Sequence, residues 1–313
     1  MIAPKLALAR LSIAGSRPFP AVVSGERALP LHAVAGLRGG TSMAALLAHW
    51  EHDEPLIAKL PTPLLAGRPL ADFQVHAPLT AATAYCSIGN YRAQVMQAAQ
   101  DANPAADLGA LQQALEQRLR AGEPYVAIKP ACAFADPFAP LAMDPAWTSL
   151  DWEVEIGAVI SRPARHVTAD TALRHVAGYC VVNDITLRER LFRADPKAMG
   201  TDFLQAKGGP GWLPVGPWLV PTRHVNDVPA LRLTLKLNGR TMQDGVASDM
   251  LFGIAEQIAY LSRHVQLEPG DLICTGSPAG FGSHHGRFLA PGDLVEAEVS
   301  GLGCQRTLMT SPL

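Results

Sequence analysis

The sequence predicts an α+β protein: a strand-rich core of mixed sheet, rolled on itself, behind a small N-terminal unit. Three observations carry this. Two Pro-Gly-Asp turns, Pro269-Gly270-Asp271 and Pro291-Gly292-Asp293, each lead into an apolar strand, the second alternating through Val295, Ala297 and Val299. Asn238-Gly239, between Arg232–Asn238 and Arg240–Gln243, is a hairpin signal. Strands and helices also fail to alternate regularly, which argues against a parallel α/β sheet.

Composition narrows the class of partner. A chain of 313 residues, 48% hydrophobic, can bury a large core. Its net charge of −2 comes from mixed signs, with neither a basic stripe for nucleic acid nor a polybasic membrane anchor. Small molecules are the expected partners. Lys5 and Arg10 interrupt what would be a signal core, and no apolar run reaches membrane-spanning length, so a cytoplasmic protein is expected. Cys86, Cys132, Cys180, Cys274 and Cys304 form no C-x-x-C pair and are odd in number, which favours reduced thiols in or near the core.

Residues 1–75 read as the small unit. Leu6–Ile13 and Phe19–Val23 are strands about an Ala14–Pro18 turn, Arg27–Leu31 supplies a third, and Ser42–Trp50 is a short helix. A Pro-rich linker from Leu60 through Pro63 to Pro69 follows. The larger unit, 76–313, opens with a strand over Thr83–Ile88 and the break Gly89-Asn90-Tyr91. Next come a helical run over Arg92–Gln100 and a helix capped by Asp107, with Leu108, Leu111, Leu115 and Leu119 on one side. Tyr125–Pro130 is a further strand. Thr168 is placed to cap a short helix, and Ser248 to cap one carrying Ile254, Ile258 and Leu261.

The chemistry gathers at Ser149–Ile156, Ser-Leu-Asp-Trp-Glu-Val-Glu-Ile, which reads as a strand running on to Ile160. Glu153 and Glu155 leave one face of it roughly 7 Å apart, opposite Trp152, Val154 and Ile156. Paired anions at the mouth of a core strand repel, and a hard cation compensates them. The same pattern fits a half-exposed edge strand with its polar residues outward. Gly178–Asp184 is a buried strand ending on a third carboxylate, Asp184, which alone also suits a turn. Leu272–Gly280 is a strand opening into a small-residue loop at Thr275-Gly276, which reads either as an anion cradle or as a plain turn. Phe203–Trp212 contains no phosphate-loop pattern.

These stretches together resemble the fumarylacetoacetate hydrolase family over about Thr83 to Leu308. The resembling segments are Ile88–Tyr91, Leu150–Glu155, Val176–Tyr179 with Asn183-Asp184, Lys207 with Gly216–Val220, Leu267–Asp271 and Thr275–Gly280. The resemblance implies a β-roll core of that family's C-terminal type, a small N-terminal domain and a homodimer. It also implies Mg²⁺ or Mn²⁺, with Ca²⁺ possible in a crystal, held by Glu153, Glu155 and Asp184. It assigns Lys207 a catalytic role beside a developing enolate, and gives Arg188, Tyr91, Thr275 and Gly276 to the substrate.

One departure stands out. Where family hydrolases carry a His and, three residues on, a Glu that activate water, this chain has Gln94 and Gln97. An amide orients water but takes no proton from it at neutral pH, and His284 and His285 are the nearest substitutes by motif. The implied activity is metal-dependent hydrolysis of a C–C bond in a 2,4-diketo acid of acylpyruvate or fumarylpyruvate type, as in aromatic catabolism. The alternatives are decarboxylation or keto–enol isomerisation of an oxaloacetate-like or dienoate 2-oxo acid, and ligand binding without turnover.

Overall fold

The computed structural model describes residues 4–62, 64, 66–80, 83–193 and 200–312. Pro63 and Leu65 of the expected linker lie outside them, as do Met1 to Ala3.

Three larger sheets organise these residues. The N-terminal sheet has the order Arg68–Pro69, Arg27–Pro30, Phe19–Ser24, Ala7–Ser12, Gln74–His76. A six-stranded sheet runs Val220–Pro221, Val176–Asn183, Val154–Ile160, Leu272–Cys274, Ala84–Ile88, Tyr125–Lys129. The third, five-stranded, is built on the hairpin Arg232–Leu237 and Arg240–Val246 and continues through Leu294–Val299, Gly303–Thr310 and Leu141–Ala142. The mixed, strand-rich reading holds. Only the Leu272–Cys274 strand runs parallel to its neighbour Ala84–Ile88 within the six-stranded sheet.

Turn chemistry explains where the chain reverses. Asn238 (φ 52°) and Gly239 (φ 80°) take the paired left-handed conformations of a tight hairpin turn. In both Pro-Gly-Asp turns the Asp folds back on a backbone amide three residues earlier: Glu268 N–H donates to Asp271 (2.9 Å) and Ala290 N–H to Asp293 (2.7 Å).

The six-stranded sheet is covered on both faces. On one, Val154 and Ile156 share a core with Leu233, Leu235, Val295 and Ala297 of the third sheet. On the other, Val159, Cys180 and Val182 pack with Leu6, Leu8 and Val22 of the N-terminal sheet, where Leu8 and Leu219 exchange backbone hydrogen bonds of 2.8 and 2.9 Å. Val154–Ile160 is therefore a central strand buried along its whole length, which excludes the edge-strand reading.

Several local expectations change. The stretch expected as one strand divides into Leu150–Asp151 and Val154–Ile160, because the Asn183 side chain and the Asp184 amide take the backbone groups of Glu153 at 2.9 and 2.8 Å. The Ser42-capped helix covers Met43–Ala48, and a second helix, Trp50–Ile57, follows. Thr168 precedes its helix without a side-chain cap. Ser248 caps nothing: Ala247–Asp249 is a single tight turn, and the helix begins at Ile254 behind Gly253, whose N–H donates to Glu256. Asp249 instead accepts from the Ala93 amide (2.9 Å), at the start of the Arg92–Ala102 helix. All five cysteines are free, but Cys132 lies exposed on a surface turn instead of near the core. Among the described residues no helix is long and apolar enough to cross a membrane.

Candidate functional site

The site lies where buried strands end. Glu155 sits inside Val154–Ile160, Glu153 just before it, and Asp184 just after Val176–Asn183, so sheet pairing brings the three carboxylates to one point. One oxygen of each lies within 4.8 Å of the others, and all three residues are buried. Such a cluster is stable only if its charge is met.

Lysines meet part of it. Lys207, buried at the end of the Phe203–Lys207 helix, places Nζ 2.6 Å from Asp184 Oδ2 and 3.2 Å from Glu153 Oε2, and donates to Thr186 Oγ1 at 2.8 Å. It is not the solvated residue its type suggests. Lys129, fully buried at the end of its strand, pairs with Asp184 Oδ1 at 2.7 Å and donates to the Ile185 and Trp212 carbonyls at 2.8 and 2.6 Å. Burial alone would raise the Asp184 pKa, yet the two ammonium groups hold it down at about 2. Burial lowers and the carboxylates raise the Lys207 pKa; the carboxylates prevail and keep it cationic.

Glu155 is compensated least. Burial pushes its pKa well up, repulsion from Asp184 and Glu153 adds to this, and Lys207 and one backbone donor offset only part. That donor is the Gly276 amide, 2.8 Å from Glu155 Oε2, while Oε1 is buried without a hydrogen-bond partner among the described residues. Gly276 has φ +88°, and a Cβ there would lie 2.8 Å from the Asn90 Cβ. An all-oxygen donor set with one buried oxygen unpartnered fits a hard divalent cation.

A cavity of about 300 Å³ opens beside this cluster. Its lining includes Glu153, Lys207 and Arg188. Arg188 pairs through Nε with Asp151 (2.9 Å) and through Nη1 with Glu153 (2.8 Å), and its guanidinium lies 4.4 Å over the Phe281 ring. Its Nη2 is buried without a hydrogen-bond partner among the described residues. Asp151 also accepts from the Gly282 amide (2.7 Å), so one carboxylate orients both Arg188 and the loop carrying Phe281.

The remaining expected residues divide. Gln94 lines the cavity, and its side chain makes no hydrogen bond among the described residues. Gln97 is already committed, accepting from the Gly280 amide at 2.8 Å. Tyr91 is fully buried behind the cavity lining, beside Glu155 and Thr275, and burial raises its pKa first. Thr275 is buried, and Gly276 spends its amide on Glu155, so the expected anion cradle faces a protein carboxylate. His284 pairs with Asp101 (3.0 Å) and His285 with the Met242 carbonyl (3.1 Å); neither lines the cavity.

Sequence reading missed Lys129, Asp151 and Phe281 as site residues. A lysine closing an otherwise apolar strand was the one local sign of Lys129, and it equally suits a strand leaving the core.

The family model for the fumarylacetoacetate hydrolase C-terminal domain matches residues 83–309. The chain is 38% identical to 2,4-didehydro-3-deoxy-L-rhamnonate hydrolase of Sphingomonas sp. (strain SKA58) over 187 residues, 59% of this chain and 64% of that relative, so it spans less than two thirds of that relative's length. The structure of 2-hydroxyhepta-2,4-diene-1,7-dioate isomerase from Mycobacterium marinum aligns with 98% of each chain, TM-score 0.68, at 25% identity. Maleylpyruvate hydrolase from Sphingobium sp. SYK-6, crystallised with manganese(II) and pyruvate, aligns with 98% of this chain and 100% of its own at TM-score 0.76. Its 22% identity makes that likeness one of fold.

Proposed function

This chain belongs to the fumarylacetoacetate hydrolase family, which includes hydrolases and isomerases, and we propose that it hydrolyses a C–C bond in a 2,4-diketo acid. The observation that carries the reading is the unpartnered Arg188 Nη2 beside the cationic Lys207 and the carboxylate cluster, in the lining of one cavity. Glu153, Glu155 and Asp184 would hold a divalent ion, Mg²⁺ or Mn²⁺ by donor type, which supplies Lewis acidity toward the substrate's oxygens.

The chain's own residues do the rest. Arg188 Nη2 donates to the substrate carboxylate, and Asp151 holds the guanidinium in place for it. Water adds to the 4-carbonyl, and the bond between carbons 3 and 4 breaks with its electron pair moving into the 2-oxo group. Lys207 Nζ stabilises the oxygen that gains this charge, and carbon 3 takes the proton that the added water gives up as the new carboxylic acid forms. Gln94, uncommitted in the cavity wall, orients the water. Division into units over 1–75 and 76–313, and assembly as a homodimer, belong to the same proposal.

A second reading, decarboxylation or keto–enol isomerisation, is favoured by one observation: the amide of Gln94 takes no proton, Gln97 is spent on Gly280, and both candidate histidines are engaged away from the cavity. These reactions need no activated water. A panel of 2,4-diketo acids and oxaloacetate-like acids, assayed with Mg²⁺ or Mn²⁺, separates the readings. Carboxylic acid release from diketo acids supports the first; CO₂ release or isomerisation without it replaces the first by the second.

A further inference from the structure

The cavity lining combines two chemically different sets of residues, and every cation in it among the described residues, Arg188 and Lys207, gathers at Glu153. The apolar part of the lining is a wall of Ile88, Tyr125, Leu191, Phe192 and Phe203. These residues are neighbours. Ile88 and Tyr125 are strand partners, the Tyr125 and Phe203 rings lie 5.8 Å apart, and Phe192 pairs by backbone with Thr201.

Most hydroxyls of the lining already have a protein partner, and Gln94 is the uncommitted amide. The Tyr125 hydroxyl lies 3.1 Å from Thr201 Oγ1, Ser87 donates to Gln257 (2.7 Å), and Ser277 donates to the Val154 carbonyl (2.9 Å). Tyr125 is 50% and Phe192 66% exposed, a large apolar area left in contact with water. A carboxylate brought against this wall would lose hydration and find no described cation in the wall, whereas an apolar group would cover exposed rings.

Building on the function proposed above, we infer that the substrate is a monocarboxylate whose tail, beyond the 2-oxo acid head, is flat and apolar, aryl or unsaturated alkyl. The head is bound at Arg188 and Lys207 and the tail against Tyr125, Phe192 and Phe203. Acids with a second, distal carboxylate are discriminated against by the wall.

Two acids that lack a 4-oxo group, and so are not cleaved, read the tail alone: 2-oxo-4-phenylbutanoate and 2-oxohexanedioate. Calorimetry with Mn²⁺ present is expected to give the phenyl acid at least about tenfold higher affinity. Tyr125→Arg, at a half-exposed position that tolerates a long charged side chain, is expected to narrow or reverse that ratio by about tenfold. Equal affinities for the two acids, or a ratio unmoved in Tyr125→Arg, would overturn the inference while leaving the 2-oxo acid site standing. No binding by either acid or by oxalate, which carries only the chelating head, would overturn the proposed function and this inference with it.

Discussion

The charged cluster and the cavity's apolar wall differ in how their energy is held. In the cluster, Glu153, Glu155, Asp184, Lys129, Lys207 and Arg188 are buried or nearly so and interlocked, so each charge depends on a partner from another element. In the apolar wall, Tyr125 and Phe192 stand half or more exposed. Substitutions inside the cluster should therefore be costly and coupled, and those outside it cheap and local.

The largest effect is expected at Asp184. Asp184→Asn keeps the shape but removes the charge facing both lysines, and divalent metal binding should vanish in calorimetry; retained affinity would remove the metal reading.

The next tests the uncommitted amide of the lining. Gln94→His with Gln97→Glu should raise diketo-acid hydrolysis by about 10² to 10⁴-fold if a missing base limits it. Glutamate at position 97 keeps an acceptor for the Gly280 amide, so the loop is retained. Fast hydrolysis by the unaltered protein, with Gln94→Ala harmless, would show that the base lies elsewhere.

Lys129→Met then isolates structural charge from chemistry. It leaves Asp184 Oδ1 and two carbonyls without their cation, a loss of about 3 to 5 kcal/mol in chemical unfolding. The sign with pH follows from the depressed Asp184 pKa. Its stabilisation is complete above the unfolded value of 3.8 and is lost as pH falls toward about 2, so the variant should unfold at higher pH than the parent.

Glu155 behaves oppositely, since its raised pKa makes it retain a proton that a divalent ion must displace. Metal affinity should rise by about tenfold per pH unit above the ordinary carboxylate range until Glu155 is ionised. A flat profile in calorimetry would contradict this.

The smallest effect belongs outside. Leu204, 76% exposed on the Phe203–Lys207 helix beside the wall residue Phe203, should tolerate Leu204→Ala within about 0.5 kcal/mol of stability; a larger fall in thermal midpoint would mean that this helix is packed more tightly than its exposure indicates.

How far the site was legible depends on how far each signal reaches. Glu153, Glu155 and Asp184 stood out as carboxylates in or at the ends of apolar strands, a pattern that equally suits an edge strand and a turn, and it was the family resemblance that gathered them into one site. Lys129 did not stand out, because its partners lie 55 to 83 residues away, at Asp184, Ile185 and Trp212. Asp249 shows the same limit. Its place just after Ser248 suits a negative charge near the positive end of the helix that follows, yet it serves the helix that begins at Arg92. Gln94 and Gln97 look equivalent in sequence, and only the Gly280 amide distinguishes them.

The sequence by itself determined the hairpin at Asn238-Gly239, both Pro-Gly-Asp turns, the buried strands and the three carboxylates on them. Backbone torsion preferences and the two-residue period of a strand act over a few residues. The tertiary structure alone decided which charges are neutralised, which amides are spent and where the cavity's apolar wall lies. Each of these depends on saturating a buried hydrogen bond or charge with a group brought in from a distant part of the chain, and local sequence carries no record of that partner.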